Sequence, residues 1–151
     1  MTDSPVDDPL ALERQVCFAL ALASRSVIAA YKPVLQPMGL THPQYLVMLA
    51  LWQHEPLTLK ALQQLLQLDA GTLSPLVKRL DTMGLITRSR DPRDERSLAI
   101  ALTAEGRALR AQAESIPPTM MRKLGLSPEE LQILHRTMMA LIDATRDETA
   151  A

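Results

Sequence analysis

Cys17 is the only thiol in the chain, and a lone thiol admits two chemistries. As a thiolate it is a nucleophile that attacks a peroxide oxygen and becomes a sulfenic acid. As a thiol it is a small hydrophobe that fills space in a core. Its place between Val16 and Phe18 leaves both readings open, because reactivity requires surroundings that stabilise the thiolate. One cysteine excludes an intrachain disulfide and any multi-cysteine zinc site. His42, His54 and His135 show no metal-ligand spacing with it. Neither a metal nor a cofactor is expected.

A second group of residues carries a different chemistry. Thr72, Ser74, Lys78 and Arg79 alternate with the apolar Leu73, Leu76, Val77 and Leu80 in a stretch that reads as a helix from Asp69 to Met83, stopped at Gly84. Hydroxyls near the start of such a helix reach base edges or phosphates, and its cations neutralise phosphate charge. Downstream, Leu98, Ile100 and Leu102 alternate with Ser97, Ala99 and Ala101 as in a strand with one buried face, and Leu85 to Arg90 supplies a partner strand. Asp91-Pro92-Arg93-Asp94-Glu95-Arg96 between them has nothing to bury and is expected to be a projecting loop. Alone it reads as an ordinary solvated turn. Directly behind a helix-turn-helix pattern it reads as a wing, with Arg93 and Arg96 suited to a narrow, negative minor groove. Residues 57–103 thus have the outline of a winged helix-turn-helix.

The remaining elements must position these groups. Asp8-Pro9 has the form of a cap and first helical residue, opening a long helix past Cys17 that ends near Lys32-Pro33 or soon after. Thr41-His42-Pro43-Gln44 has capping-box spacing and opens a helix through Leu46 to Trp52. Thr58 caps a short helix, Leu59 to Leu66. Pro75 must lie within the first two turns of the next one, so its cap is Asp69 or Thr72. Thr103 caps a helix running toward Pro117-Pro118, and the capping box Ser127-Pro128-Glu129-Glu130 opens the last one, through Leu131, Leu134, Met138, Leu141 and Ile142.

Composition agrees with a mainly α (α+β) protein of one domain, spanning 1–151. Hydrophobic residues make up 47% and aromatics only 3% of the 151 positions, with a formal charge of −1. DNA binding must therefore come from local charge. Six cations (Lys78, Arg79, Arg88, Arg90, Arg93, Arg96) face four acids (Asp81, Asp91, Asp94, Glu95) between positions 78 and 96, whereas Asp3, Asp7 and Asp8 precede the first cation, Arg14. No segment reads as long enough for a membrane span and the first ten residues lack signal-peptide regions, so a cytoplasmic protein without a membrane partner is expected. The apolar stripes of residues 10–38 and 104–148 are most easily buried if two chains interleave them, although they also serve to complete a monomer. A homodimer presents two recognition helices to the half-sites of a pseudo-palindromic, double-stranded operator.

Several motifs together carry a resemblance. Leu12-Glu13-Arg14-Gln15-Val16-Cys17-Phe18, Tyr31-Lys32-Pro33 and Thr41-His42-Pro43-Gln44-Tyr45-Leu46 resemble the N-terminal half of the organic-hydroperoxide-sensing branch (OhrR) of the MarR family. Leu68 to Leu80 and Gly84-Leu85-Ile86-Thr87-Arg88 are similar to the same branch, and Asp94-Glu95-Arg96-Ser97 with Leu102-Thr103 to the wing signature of the wider family. The similarity spans about residues 10 to 145. It implies a dimeric repressor of the single-cysteine type, not an enzyme, that leaves its operator when Cys17 is oxidised by an organic hydroperoxide. It also implies that Cys17 is bonded by a tyrosine of the other subunit, Tyr31 here. Fourteen residues separate the two, about 21 Å along one helix, so within a straight helix they cannot touch.

The sequence departs from the family pattern at three places. His42 stands where a second tyrosine is expected, Ala21 where another is, and Ala70 where a hydroxyl is often found. His42 is therefore either a hydrogen-bond donor to the thiolate or a solvated helix-start residue. The resemblance carries base or phosphate contacts onto Thr72, Ser74, Lys78 and Arg79, a minor-groove contact onto Arg96, and the role of holding that arginine onto Asp94. Phe18, Leu22, Met48 and Trp52 either favour organic peroxides or simply pack. A sulfenic acid without a resolving cysteine proceeds to a low-molecular-weight thiol adduct, backbone capture or over-oxidation. The rival readings are a MarR-type repressor released by a small aromatic or acidic ligand with Cys17 structural, a thiol peroxidase, and a purely structural helical dimer.

Overall fold

The computed structural model describes residues 8–91 and 93–149, without the side chains of residues 91, 94–97 and 147–149. The chain forms two compact units that divide between Glu114 and Ser115. The first contains α1 (Val16–Leu35), α2 (His42–His54), β1 (Leu57–Thr58), α3 (Leu59–Leu66), α4 (Ala70–Thr82), β2 (Ile86–Asp91), β3 (Asp94–Leu102) and α5 (Ala104–Ala113). The second contains α6 (Ile116–Leu124) and α7 (Pro128–Thr149).

The first helix starts later than its sequence suggests. Pro9 and Leu10 form a turn, Leu12–Arg14 a single 3₁₀ turn, and α1 begins only at Val16. The break is held by Gln15, whose backbone is extended and whose side-chain amide donates to the carbonyls of Pro9 (2.9 Å) and Ala11 (3.0 Å). Asp8 Oδ1 accepts from Leu10 N at 3.0 Å, stabilising the turn rather than a helix start. Cys17 consequently sits in the first turn of α1, not deep within a longer helix.

The other starts follow their caps. Thr41 and Gln44 exchange the two bonds of a capping box, Thr58 Oγ1 accepts from Ala61 N at 3.1 Å, and Asp69 Oδ1 accepts from Thr72 N at 2.7 Å. The last bond resolves the cap of α4 in favour of Asp69. Gly84, at φ +79°, supplies the left-handed turn after that helix, and its N–H donates to the Asp81 carbonyl at 2.9 Å.

Leu73, Val77 and Leu80 recur at helical spacing on α4 and are buried with Leu62 of α3, Val47, Met48 and Leu51 of α2, and Ile86 and Ile100 of the sheet. The sheet is antiparallel in the order β1-β3-β2, with Leu57 opposite Ile100 and Ile86 opposite Leu102. The expected six-residue loop is mostly strand. β2 extends to Asp91, β3 begins at Asp94, and a register irregularity falls between Arg90 and Asp91. Strand pairing joins backbone groups whatever the side chains carry, so charge does not oppose extension there. Leu98 is exposed, unlike Ile100 and Leu102.

Two ties close the base of this ribbon. The Thr103 hydroxyl donates to Gly84 O (2.7 Å) and accepts from Gly106 N (3.0 Å), capping α5. A Cβ on Gly106 would lie 2.1 Å from the Leu85 carbonyl oxygen, so that close approach requires glycine.

In the second unit, Pro117 and Pro118 occupy the opening positions of α6 instead of marking the end of α5, which already stops at Ala113. Ser127 and Glu130 form the expected capping box of α7. Every described side chain from Pro128 to Arg146 is exposed, including Leu131, Leu134, Met138, Leu141 and Ile142.

By length and composition the stretch Val16–Met38, with a mean hydropathy of 1.3, is long and apolar enough to cross a membrane, which corrects the sequence reading. Arg25 stands near its middle, and an arginine at the centre of a bilayer costs roughly 2.5–3.5 kcal/mol.

Candidate redox site and nucleic-acid interface

The Cys17 thiol is exposed in the first turn of α1, within reach of a solute. Tyr31 lies four turns along the same unbroken helix. At 100° per residue the two project from nearly the same side, about 21 Å apart. One chain therefore does not bring them together.

Tyr31 does meet His42. Their ring centroids are 5.0 Å apart at a tilt of 55°, and a third ring, Tyr45, stands 5.9 Å from Tyr31. Tyr45 is almost fully buried. It escaped the sequence reading because it begins an apolar run and looks like core. Its spacing of three from His42 was the available signal, since residues three apart share a helix face. Burial holds the His42 imidazolium below its ordinary pKa, while burial and the neighbouring Tyr31 push the Tyr45 phenol up. Both shifts favour neutral rings. Met48 is fully buried, and Trp52 is half-buried with its indole N–H donating to Gly106 O at 2.9 Å.

The second candidate surface lies on α4. Thr72, Ser74, Lys78 and Arg79 are all exposed, opposite the buried Leu73, Val77 and Leu80. Hydrogen bonds from the Thr72 hydroxyl and N–H hold the Asp69 carboxyl below its ordinary range and fix the first turn. Arg88, which the sequence reading counted only as local charge, reaches from β2 to α4, with its Nε 2.9 Å from Asp81 Oδ2. Arg93 is exposed in the turn between β2 and β3. Asp94 and Arg96 lie on β3, and their side chains fall outside the described residues. Among the described residues no cluster of His, Cys, Asp and Glu is arranged to hold a metal ion.

The fold has close counterparts. Residues 40–98 match the MarR family. The organic hydroperoxide resistance transcriptional regulator of Bacillus subtilis (strain 168) is 43% identical over 136 residues, 90% of this chain and 92% of its own length. The structure of reduced AbfR bound to DNA aligns with a TM-score of 0.74 at 32% identity, covering 89% of this chain and 94% of that one. The crystal structure of overoxidized AbfR bound to DNA aligns at 0.73 with the same identity and coverage, and AbfR is a protein of Staphylococcus epidermidis. High identity over nine-tenths of the chain and a shared fold lead to one conclusion: the chain belongs to the MarR family.

Proposed function

We propose that this protein is a peroxide-sensing, DNA-binding transcriptional repressor, released from its operator when organic hydroperoxide oxidises Cys17. The observation that carries the reading is a lone, exposed thiol in the first turn of α1, on a chain 43% identical to a hydroperoxide-resistance regulator. The thiolate attacks the outer peroxide oxygen, the O–O bond breaks, and an alkoxide leaves to be protonated as the alcohol. Cys17 is left as a sulfenic acid. With no second cysteine in the chain, that group is consumed by a low-molecular-weight thiol, by a backbone nitrogen, or by further oxidation.

The apolar faces of α1 and α7 support a homodimer, in which residues 10–38 and 104–148 form the interface and residues 57–103 the winged reader. A two-fold axis then sets Tyr31 of one chain against Cys17 of the other, with His42 and Tyr45 fixing that phenol. Oxidation adds bulk at the contact and changes the separation of the two α4 helices. Thr72, Ser74, Lys78 and Arg79 contact the major groove and its phosphates. Arg93 and Arg96 enter the minor groove, with Asp94 orienting Arg96. The protein acts in the cytoplasm as a regulator, without a cofactor and without catalytic turnover.

Gel shifts on the gene's own upstream DNA test this. Cumene hydroperoxide is expected to release the wild type and leave the Cys17→Ser variant bound. Release of that variant by peroxide would overturn the assignment.

A second reading rests on a groove of about 510 Å³ lined by Ile28, Lys32, Gln36, Leu40, Thr41 and His42. It has the size and the cation for a small aromatic acid. Release of Cys17→Ser from DNA by benzoate, with no response of the wild type to peroxide, would favour it.

A further inference from the structure

The flank of α4 that faces β2 is built differently from the rest of its outer surface. With Leu73, Val77 and Leu80 turned inward, a step of 100° per residue sorts the outward positions into two polar edges. Ser74, Lys78 and Asp81 share one edge, while Thr72 and Arg79 share the other. Gly71 and Pro75, between these edges, carry no side-chain hydrogen-bonding groups. Beside the first edge lies a recess of about 640 Å³ lined by Ala70, Gly71, Ser74, Pro75, Lys78 and Arg88. The Arg88 Nε is held by Asp81 at 2.9 Å, which points the guanidinium along that edge and leaves its terminal nitrogens to serve a second acceptor. Two cations and a hydroxyl thus border a concavity one helix-width from the edge that carries Thr72 and Arg79.

We propose that this recess seats one backbone phosphate of the bound duplex, with Arg88, Lys78 and Ser74 as its donors and Asp81 as the residue that aims Arg88. The inference rests on the repressor reading and divides labour within it. The edge facing β2 fixes the register of the helix on the backbone, and the Thr72–Arg79 edge reads bases. A guanidinium tethered through Nε retains a planar fork for phosphate oxygens. A phosphate contact carries no sequence information, so it strengthens binding to any duplex and adds to its salt dependence.

The test is fluorescence anisotropy of the full-length protein on two duplexes, the gene's own upstream DNA and a scrambled sequence of equal composition, across a potassium chloride series. Arg88→Gln is expected to weaken both duplexes by a similar factor and to lower the slope of log affinity against log salt by about 1.8, the value of two phosphate contacts, one in each protomer of the dimer. Arg88→Lys is expected to restore the slope. Circular dichroism confirms that each variant is folded. An unchanged slope in folded Arg88→Gln, or loss confined to the upstream duplex, overturns the phosphate assignment while leaving the repressor reading intact. Absence of salt-dependent binding by the wild type would instead overturn the repressor reading itself.

Discussion

The winged region and the long flanking helices solve the burial of apolar surface in opposite ways. Between Leu57 and Leu102 the interior is complete within one chain: Leu62, Leu73, Leu80 and Ile100 are fully buried. In α1 only Leu35 is buried, and α7 exposes Leu131, Leu134, Met138, Leu141 and Ile142 along one stripe. A reader of DNA must hold its shape wherever it docks, so its core is self-sufficient. On the reading proposed above, α1 and α7 keep their apolar faces for a second copy.

The sharpest way to break this contrast is a pair of substitutions. Leu80→Ala empties a fully buried site and is expected to cost about 2–5 kcal/mol, independent of protein concentration in denaturant titrations. Leu134→Lys touches a side chain exposed in the single chain. If α7 meets a second copy, this variant sediments as a monomer and its Tm loses the concentration dependence of the wild type. An unchanged dimer would show that this stripe needs no partner.

A smaller effect tests whether the winged region is closed at its base. Thr103→Ala removes the cap to Gly106 N and the bond to Gly84 O, and is expected to lower stability by about 1–2 kcal/mol in chemical unfolding. A loss no larger than that of an ordinary surface change would mean the junction with α5 adds little.

The smallest effect is on pH and falls on the aromatic cluster between α1 and α2. Burial lowers the His42 pKa below its ordinary 6.5, so the unfolded chain binds the proton more readily than the fold does. The stabilisation from neutral His42 is complete above pH 6.5 and is lost as pH falls through the lower folded value. Thermal unfolding at pH 7.5 and 5.5 should show a decline that is reduced in His42→Gln. Equal declines in both proteins would remove His42 as the cause.

Much of this was legible in the sequence where local signals were strong and self-consistent. The capping boxes at Thr41 and Ser127, the helical spacing of Leu73, Val77 and Leu80, and the turn at Gly84 each depend on residues within a few positions of one another. What stayed hidden depended on other interactions. Asp8-Pro9 has the form of a helix start, but Gln15 takes up the Pro9 and Ala11 carbonyls and moves that start to Val16. The charged residues from Asp94 onward look like loop because charge marks solvent, yet the backbone there is strand. Arg88 gains its meaning only from Asp81, seven residues earlier on another element. Tyr45 gains its meaning from Tyr31, across two helices.

Helix α2 has thirteen residues without a break, a rod of about 20 Å. One end carries His42 and Tyr45 against Tyr31. At the other, the Trp52 indole is tied to the Gly106 carbonyl, and Glu55 just beyond accepts from Leu102 N at 3.1 Å and pairs with Arg107. The rod is pinned at both extremities, so the ring cluster and the root of the wing are joined by one continuous element with no loop between them.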